Sequence, residues 1–433
     1  MKAPPEQAAA GDRLRRLLRR PAVWGYGWKG LNALASFAAA AALARLAGAE
    51  AVGDYGLALA TAAILATVGQ RGLDQIFLRT AGGDLRQGDT AAAHAALRTL
   101  GRRMAAGVGA TAALLLLLAG PGPLADLLAA DRASLQAAAL GVVTLPALRL
   151  ALALARASGR PAFAQFLEAL PSLLFLPAVL GTAALGITLS GARTVLLYFV
   201  AQAAAVLLCV PALARLISGW APPAPPPDTR QMLRAGLPIM ATALLLAFQD
   251  WFLLAAATRG LSSAEAGALR LSLQLMLVPA FIWQVGDSLI VGPLAGDLRE
   301  GRADVAWRRF GRTVRRSLLL AAPVIALFVL APGEVLRLMF GEAYVAAGPA
   351  VALMALGQLA LISVHPVGAL LVMAGREPWL PLVLVVSTAV LVAATLGLLP
   401  AFGLTGIGAA YAASCLARSV LAFSIARRFV RPA

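Results

Sequence analysis

The chain has 433 residues, of which 60% are hydrophobic and 13% charged; its mean hydropathy is +0.81 and its formal net charge +17. Soluble domains carry about 25% charged residues, so this composition excludes disorder, a collagen-like repeat, a disulfide-stapled secreted domain and an ordinary soluble enzyme. What remains is an all-α polytopic membrane protein, because one crossing of about 30 Å takes about 20 mainly apolar residues.

The basic charge comes from arginines at the ends of apolar runs, where they anchor and orient membrane helices; nucleic acid is not an expected partner. Lys2 and Lys29 are the only lysines, and neither precedes Ser or Thr. A phosphate-binding G-x-x-x-x-G-K-[ST] loop is therefore missing. Cys209 and Cys415 lie inside apolar runs and read as buried thiols. With two histidines, His94 and His365, the sequence offers no metal-ligand spacing. No nucleophile–base constellation stands in any loop, so the chain reads as a non-enzyme without cofactor.

In chain order, a basic amphipathic stretch to Arg20 is expected on the cytoplasmic membrane surface. Six spans follow at 22–46, 54–79, 104–129, 134–156, 161–186 and 193–217, the first too long for a signal peptide. The run APPAPPPD, Ala221 to Asp228, predicts an extended linker. Six more spans follow at 232–256, 264–292, 314–339, 346–373, 378–400 and 404–427. The predicted organisation is a six-helix bundle at 1–217, a cytoplasmic linker at 218–231 and a second six-helix bundle at 232–433. On the tails and even loops fall 26 basic residues; the odd loops hold Arg132, Arg193, Arg259 and Arg337. This asymmetry predicts that both termini are cytoplasmic. The strips Arg98–Arg103 and Arg308–Arg316 read as amphipathic surface helices against anionic lipid.

The halves repeat each other. GDLRQG (Gly83–Gly88) matches GDLREG (Gly296–Gly301), and ASGRP (Ala157–Pro161) matches AGREP (Ala374–Pro378). GAEAVGDY (Gly48–Tyr55) matches SSAEAGAL (Ser262–Leu269) in the expected loops after spans one and seven, and LSG (Leu189–Gly191) matches LTG (Leu404–Gly406). With six spans each, both halves enter from the same side. That predicts a parallel repeat about an axis along the membrane normal, with a central cavity and rocking-bundle alternating access.

Ionisable groups inside spans cost roughly 2.5–3.5 kcal/mol each on insertion scales and are functional candidates by default. Lys29, Arg71, Arg149, Arg270 and Arg418 are candidates for a cationic cavity that meets phosphate or pyrophosphate. Asp74, Glu168, Asp250 and Asp287 are candidate ion-coupling sites. Each also reads as an interface anchor or half of a structural pair, such as Arg71 with Asp74. Pro146, Pro171, Pro177, Pro238, Pro279, Pro323 and Pro366 predict kinks. His365 reads as a core histidine. Trp251, Phe281 and Trp283 read first as core or lipid-facing, with sugar stacking as the functional alternative.

The runs LARLAGAEAVGDYGLALA (Leu43–Ala60), GLDQIFLR (Gly72–Arg79), GEAYVAAGPAVALMALG (Gly341–Gly357), AGRE (Ala374–Glu377) and PAFGLTGIGAAYA (Pro400–Ala412) resemble polysaccharide flippases of the Wzx type. These belong to the multidrug/oligosaccharidyl-lipid/polysaccharide exporter (MOP) superfamily. Arg45, Gly48, Gly72 and Arg79 match the family pattern. The resemblance implies flipping of undecaprenyl-pyrophosphate-linked oligosaccharide repeat units across the bacterial inner membrane, for surface polysaccharide or lipopolysaccharide. It implies as partners the lipid-linked oligosaccharide, membrane lipids, and a polysaccharide polymerase or other assembly proteins. By position, Lys29, Arg71 and Arg270 are the foremost headgroup candidates. The alternative is a multidrug/cation antiporter of the same superfamily. A cation exporter needs acids at its cavity centre, whereas here in-span bases outnumber acids.

Overall fold

The computed structural model describes residues 21–120, 131–225, 229–374, 376 and 379–429, without the side chains of 21–23, 26, 229, 285–289, 291–292, 299, 369 and 429. The basic N-terminal tail, the middle of the proline-rich linker and Arg431 lie outside the described residues.

The described chain is helical nearly throughout: α1 (Pro21–Leu46), α2 (Gly48–Gln70), α3 (Leu73–Arg86), α4 (Thr90–Leu118), α5 (Arg132–Ala157), α6 (Pro161–Ala184), α7 (Gly191–Ile217), α8 (Thr229–Gly260), α9 (Ser263–Leu275), α10 (Leu277–Arg299), α11 (Ala303–Leu330), α12 (Pro332–Met339), a 3-10 turn (Glu342–Ala347), α13 (Gly348–Ile362), α14 (Val367–Met373) and α15 (Trp379–Phe429). Among the described residues, ten helical segments are long and apolar enough to cross a membrane. The last, Trp379–Arg428, has 50 residues and turns at Gly403 (φ 55, ψ −135). Local chemistry sets the helix starts. Asp89 and Ser190 cap α4 and α7 by accepting from the Ala92 and Arg193 amides at 2.8 and 3.4 Å. Ser262 caps α9 in the same way, and its hydroxyl donates to Glu265 at 2.9 Å.

Several elements differ from the sequence expectation. The segment 48–55 is not a loop but the first turns of α2; Ala47 and the left-handed Gly48 (φ 81) suffice to reverse the chain. The second span is two helices, broken at Arg71 and Gly72. The basic strips at 98–103 and 308–316 are not separate surface helices but the opening turns of α4 and α11. In α11 Arg308, Arg312, Arg315 and Arg316 are exposed beside a buried stripe of Ala306, Phe310, Ser317 and Ala321, while Arg309 is half-buried on Asp297. The ninth span ends at Leu330, and α12 follows. The tenth is split between Ile362 and Val367, where Pro366 has no amide to continue the ladder.

The chain forms two compact units. Of the described residues, the first comprises those within 21–43, 61–120 and 132–240, and the second those within 44–60 and 241–429, with Asp131. In the first, α5 packs on α6 and α7, and α3 on α4 and α5. Its core gathers Leu73, Phe77, Leu100, Met104 and Leu154. The start of the linker is held on this unit: the Ala221 amide donates to Thr90 Oγ1 at 3.1 Å and the Ala224 amide to the Ala91 carbonyl at 3.1 Å. In the second, α13 packs on α15 and α11, and α10 on α11. Within this unit the opening of α2 crosses α9 at two glycines. A Cβ on Gly53 would overlap the Ser263 carbonyl, and one on Gly267 would overlap the Ala49 carbonyl. The small residues let the two backbones touch, as at small-xxx-small crossings in membranes.

Candidate functional site

In the first unit the break in the second span builds a polar cluster. Arg71 is the one non-glycine residue among those described with a positive φ (55°), a conformation that side chains other than Gly adopt at a cost. Its amide still donates to the Thr67 carbonyl at 3.0 Å, closing α2. Gly72 (φ 68) then starts α3, which places Asp74 in the first turn, where the helix dipole favours a carboxylate. Asp74 is 6% exposed and accepts from Gln75 Nε2 at 2.9 Å. Arg149 approaches from α5: its Nη1 donates to Gln70 Oε1 at 3.1 Å and to Thr67 Oγ1 at 3.4 Å, and the Asp74 charge attracts it. The Arg71 guanidinium lies against α4, so close that a Cβ on Gly107 would sit 2.9 Å from its Nη2. Lys29 is half-buried on α1, next to Trp28, which packs edge-on against Phe166 with ring centroids 4.8 Å apart.

The second unit has its own cluster. Tyr411, Cys415 and Arg418 recur at helical spacing along α15 and interact electrostatically. Gln358 of α13 donates to the Tyr411 hydroxyl at 2.7 Å, and Gln249 of α8 donates to Thr388 Oγ1 at 2.7 Å. Asp250, the neighbour of Gln249, feels the Arg270 charge from α9 and acts in turn on Tyr411. The stem of Arg270 lies against Gly56, where a Cβ would stand 2.9 Å from its Cγ and Cδ. Arg418 lines a cavity inside this unit with Trp283, His365 and Ser419.

The expected site residues therefore fall into two groups. Arg71, Asp74 and Arg149 come together in the first unit, with Lys29 also there on α1; Asp250 and Arg270 come together in the second, joined through Tyr411 to Arg418. Asp74 is drawn to Arg149 rather than forming the expected structural pair with Arg71. Glu168 pairs with Arg156 at 3.1 Å, both partly exposed. The side chain of Asp287 lies outside the described residues. Both cysteines are free and buried. Among the described residues no cluster of His, Cys, Asp and Glu is able to hold a metal ion. The sequence reading missed Thr67, Gln70, Gln358 and Tyr411. The spacing Thr67–Gln70–Asp74 in an apolar run, like Tyr411–Cys415–Arg418, would have marked a polar helix face.

No protein-family model and no curated protein matches the chain. Solved structures do. An inward-facing multidrug resistance MATE family transporter of the MOP superfamily matches over 92% of this chain and 94% of its own, with TM-score 0.70 and 14% identity. The lipid II flippase MurJ, inward closed, matches over 93% and 87%, with TM-score 0.73 and 8% identity. A MOP superfamily transporter from Pyrococcus furiosus, described as having a binding pocket of reverse polarity that suggests a different function, matches over 95% and 94%, with TM-score 0.57 and 16% identity. At these identities the likeness is one of fold. The chain has the fold of MOP-superfamily transporters and is a multi-pass membrane protein.

Proposed function

We propose that the chain is a Wzx-type flippase that moves undecaprenyl-pyrophosphate-linked oligosaccharide repeat units from the cytoplasmic to the periplasmic leaflet of a bacterial inner membrane. The observation that carries this reading is the cationic excess inside the spans. Lys29, Arg71, Arg149, Arg270 and Arg418 stand against Asp74, Glu168, Asp250 and Asp287, and Glu168 is already paired with Arg156 at 3.1 Å. Such groups are costly in hydrocarbon, and a substrate that brings about two negative charges offsets that cost. Gln70 and Thr67 fix one nitrogen of Arg149 and leave the rest of its planar donor fork for paired phosphate oxygens.

Moving an anion outward across an inside-negative membrane is favourable by about 2.3 kcal/mol per charge per 100 mV, so transport needs no nucleotide. Asp74 and Asp250, each close to an arginine, are the sites where a proton or sodium ion would compete with that pairing. Twelve crossings in two parallel six-helix bundles, counting α1 and both arms of α15, put the termini in the cytoplasm and give rocking-bundle alternating access. A polysaccharide polymerase or other assembly proteins would take up the product. A multidrug/cation antiporter is the second reading; on its side stands Asp250, an acid inside a span that feels the Arg270 charge without a salt bridge to it among the described residues.

The test is complementation of a bacterium lacking its own flippase for a lipid-linked repeat unit, scored by surface polysaccharide. The parent should restore the polymer. Arg149→Gln, Arg71→Ala, Lys29→Ala and Arg270→Ala, each checked for membrane expression, should lose it. Failure of the parent across several repeat-unit types, together with resistance to cationic drugs, would establish the antiporter instead.

A further inference from the structure

The two repeated turns of the first half meet in one pocket. Its volume is about 390 Å³, and it lies in the first unit between the end of α3, the α5–α6 turn and the end of α7. GDLRQG supplies Leu85 and Arg86, ASGRP supplies Ala157 to Arg160, and α7 adds Arg215 and Leu216. Local hydrogen bonds place the turn arginines. Arg86 Nε donates to the Gly82 carbonyl at 2.9 Å, which fixes one edge of the guanidinium and leaves its two terminal nitrogens for another acceptor. The left-handed Gly159 (φ 71) closes α5, and the Arg160 amide donates back to the Ala155 carbonyl at 2.9 Å. Arg160 therefore stands at the start of α6, where the positive end of the helix dipole adds to its own charge. All three arginines are exposed. Among the described residues they form no salt bridge, and no carboxylate lines the pocket.

The second half treats the same turns differently. Glu300 stands where the first half has Gln87 and pairs with Arg302 at 2.5 Å, and Glu377 follows Arg376. The first half brings no such acids, so three like charges on one concave wall focus a positive potential. Trp220, just past α7, also lines the pocket. It is held from behind: His94 Nδ1 donates to the Ala221 carbonyl at 2.9 Å, and the His94 ring meets Trp220 edge-on with centroids 6.2 Å apart.

We propose that this pocket binds a nucleoside diphosphate, with the diphosphate on Arg86, Arg160 and Arg215 and the base against Trp220. Three guanidinium forks in paired contact take up more acceptor oxygens than one phosphoryl group carries, which a diphosphate supplies. The volume lies within the range of organic-ligand sites, about 300–1,000 Å³, and exceeds what a bare inorganic anion fills. Leu85, Ala157, Leu216 and Trp220 are the apolar wall; that covers a ring, not an acyl chain, so the ligand is soluble. The asymmetry of basic residues predicts that these turns face the cytoplasm, where nucleotides are found. None of the three arginines belongs to the clusters assigned to transport, and the proposal stands independently of that reading.

The experiment is calorimetric titration of ADP into the full chain, purified in an uncharged detergent and without divalent cations. ADP should bind, AMP at least about tenfold more weakly, as expected for lost charge-assisted hydrogen bonds, and adenosine more weakly still. Arg160→Gln and Arg215→Gln replace exposed side chains, so both should fold; each should weaken ADP and inorganic pyrophosphate alike by about tenfold or more. Trp220→Leu should weaken ADP several-fold, as for a lost stacking partner, and leave pyrophosphate unchanged, whereas Trp220→Phe should retain ADP. If Trp220→Leu does not fold, the ratio of ADP to pyrophosphate affinity in the parent decides, and ADP should be several-fold the tighter. Amide exchange should slow on ADP binding at 85–88, 158–160 and 218–221. Arg149→Gln, in the transport cluster, should leave ADP affinity unchanged; loss of binding there, with Arg160→Gln and Arg215→Gln unaffected, would place the diphosphate in the transport site and overturn the proposal. Absence of ADP binding, or equal affinity for ADP and pyrophosphate, would overturn it too. Full displacement of ADP by phosphatidylglycerol in nanodiscs, with binding intact in phosphatidylcholine nanodiscs, would assign the pocket to a lipid headgroup instead.

Discussion

Two segments related by the internal repeat, GDLRQG at Gly83–Gly88 and GDLREG at Gly296–Gly301, differ at one position, and their backbones are the same. Each ends a helix with a left-handed glycine, Gly88 (φ 82) or Gly301 (φ 71). In each, the glycine amide donates three residues back, to Leu85 or Leu298, both at 3.2 Å. The next amide donates five residues back, to the Asp84 or Asp297 carbonyl, both at 2.9 Å. This is the Schellman closure, which needs glycine at the left-handed position. The side chains have parted. After the glycine comes Asp89 in the first half and Arg302 in the second. Asp297 is held by Arg309 at 2.8 Å and Arg302 at 3.3 Å, which keeps its carboxyl below the usual range. Partial burial and the like charge of Asp89 push Asp84 the other way. The duplication has preserved the turn, while its surroundings, Arg309 and Arg302 around Asp297 against partial burial and Asp89 around Asp84, have reversed the electrostatics.

The largest effect tests whether the halves are still mechanically equivalent. Gly53 and Gly267 meet each other's helix at backbone carbonyls, which cannot move aside as a flexible side chain can. Gly53→Leu and Gly267→Leu should each cost about 3 kcal/mol or more, the upper range for overpacking, and show as loss of monodisperse protein or a large fall in melting temperature. A severe effect at one glycine and a mild one at the other would mean that the crossing is one-sided and the equivalence lost.

Most of the membrane-crossing runs were legible in the sequence, because hydropathy and length alone decide them. The repeat was legible too, through the turn glycines at 88 and 301. The break at Arg71–Gly72 was not, since an apolar window does not register a left-handed arginine. The GAEAVGDY segment was misread as a loop because its small and acidic residues resemble a turn, whereas tight packing of α2 on α9 holds them helical. Of the site, the charges were visible one by one. What pairs with what was not: the approach of Arg149 to Gln70, or of Trp283 to His365, joins residues about eighty apart in sequence, and no local periodicity encodes it.

A second comparison lies in the interhelical hydrogen bonds. Thr144 donates to Gln202 Oε1 at 3.0 Å between α5 and α7, and Gln358 donates to the Tyr411 hydroxyl at 2.7 Å between α13 and α15. Thr144→Val should cost about 0.6–1 kcal/mol, the ordinary value of such a bond in a membrane. Tyr411→Phe should cost more, about 1–2 kcal/mol, because the buried Gln358 Oε1 already has no partner and its amide nitrogen would then lose one too. Equal costs by thermal melts of the two variants would show that the second cluster has relaxed around its orphan.

The two aspartates give effects of opposite sign with pH. Asp297 has a lowered value, so its pairing stabilises above the usual carboxylate range, near pH 4, and that stabilisation is lost as pH falls through its folded value. Asp297→Asn should therefore lower the melting temperature at pH 7, and the difference from the parent should close on acidification.

Asp84 gives the smallest effect and the sharpest test. Its value is raised, so its contribution is present below about pH 4 and is lost as pH rises through the folded value. Asp84→Asn should match the parent in acid and melt slightly higher at pH 7. Asp89→Asn keeps the cap on the Ala92 amide, since asparagine caps as well as aspartate, but removes the like charge. In that background the gain from Asp84→Asn should shrink, because only partial burial is left to disfavour the Asp84 charge. A double-mutant cycle read by melting temperature at pH 7 measures the coupling. If the cycle is additive, the repulsion between Asp84 and Asp89 is screened away, and the contrast between the two turns resides wholly in the arginines around Asp297.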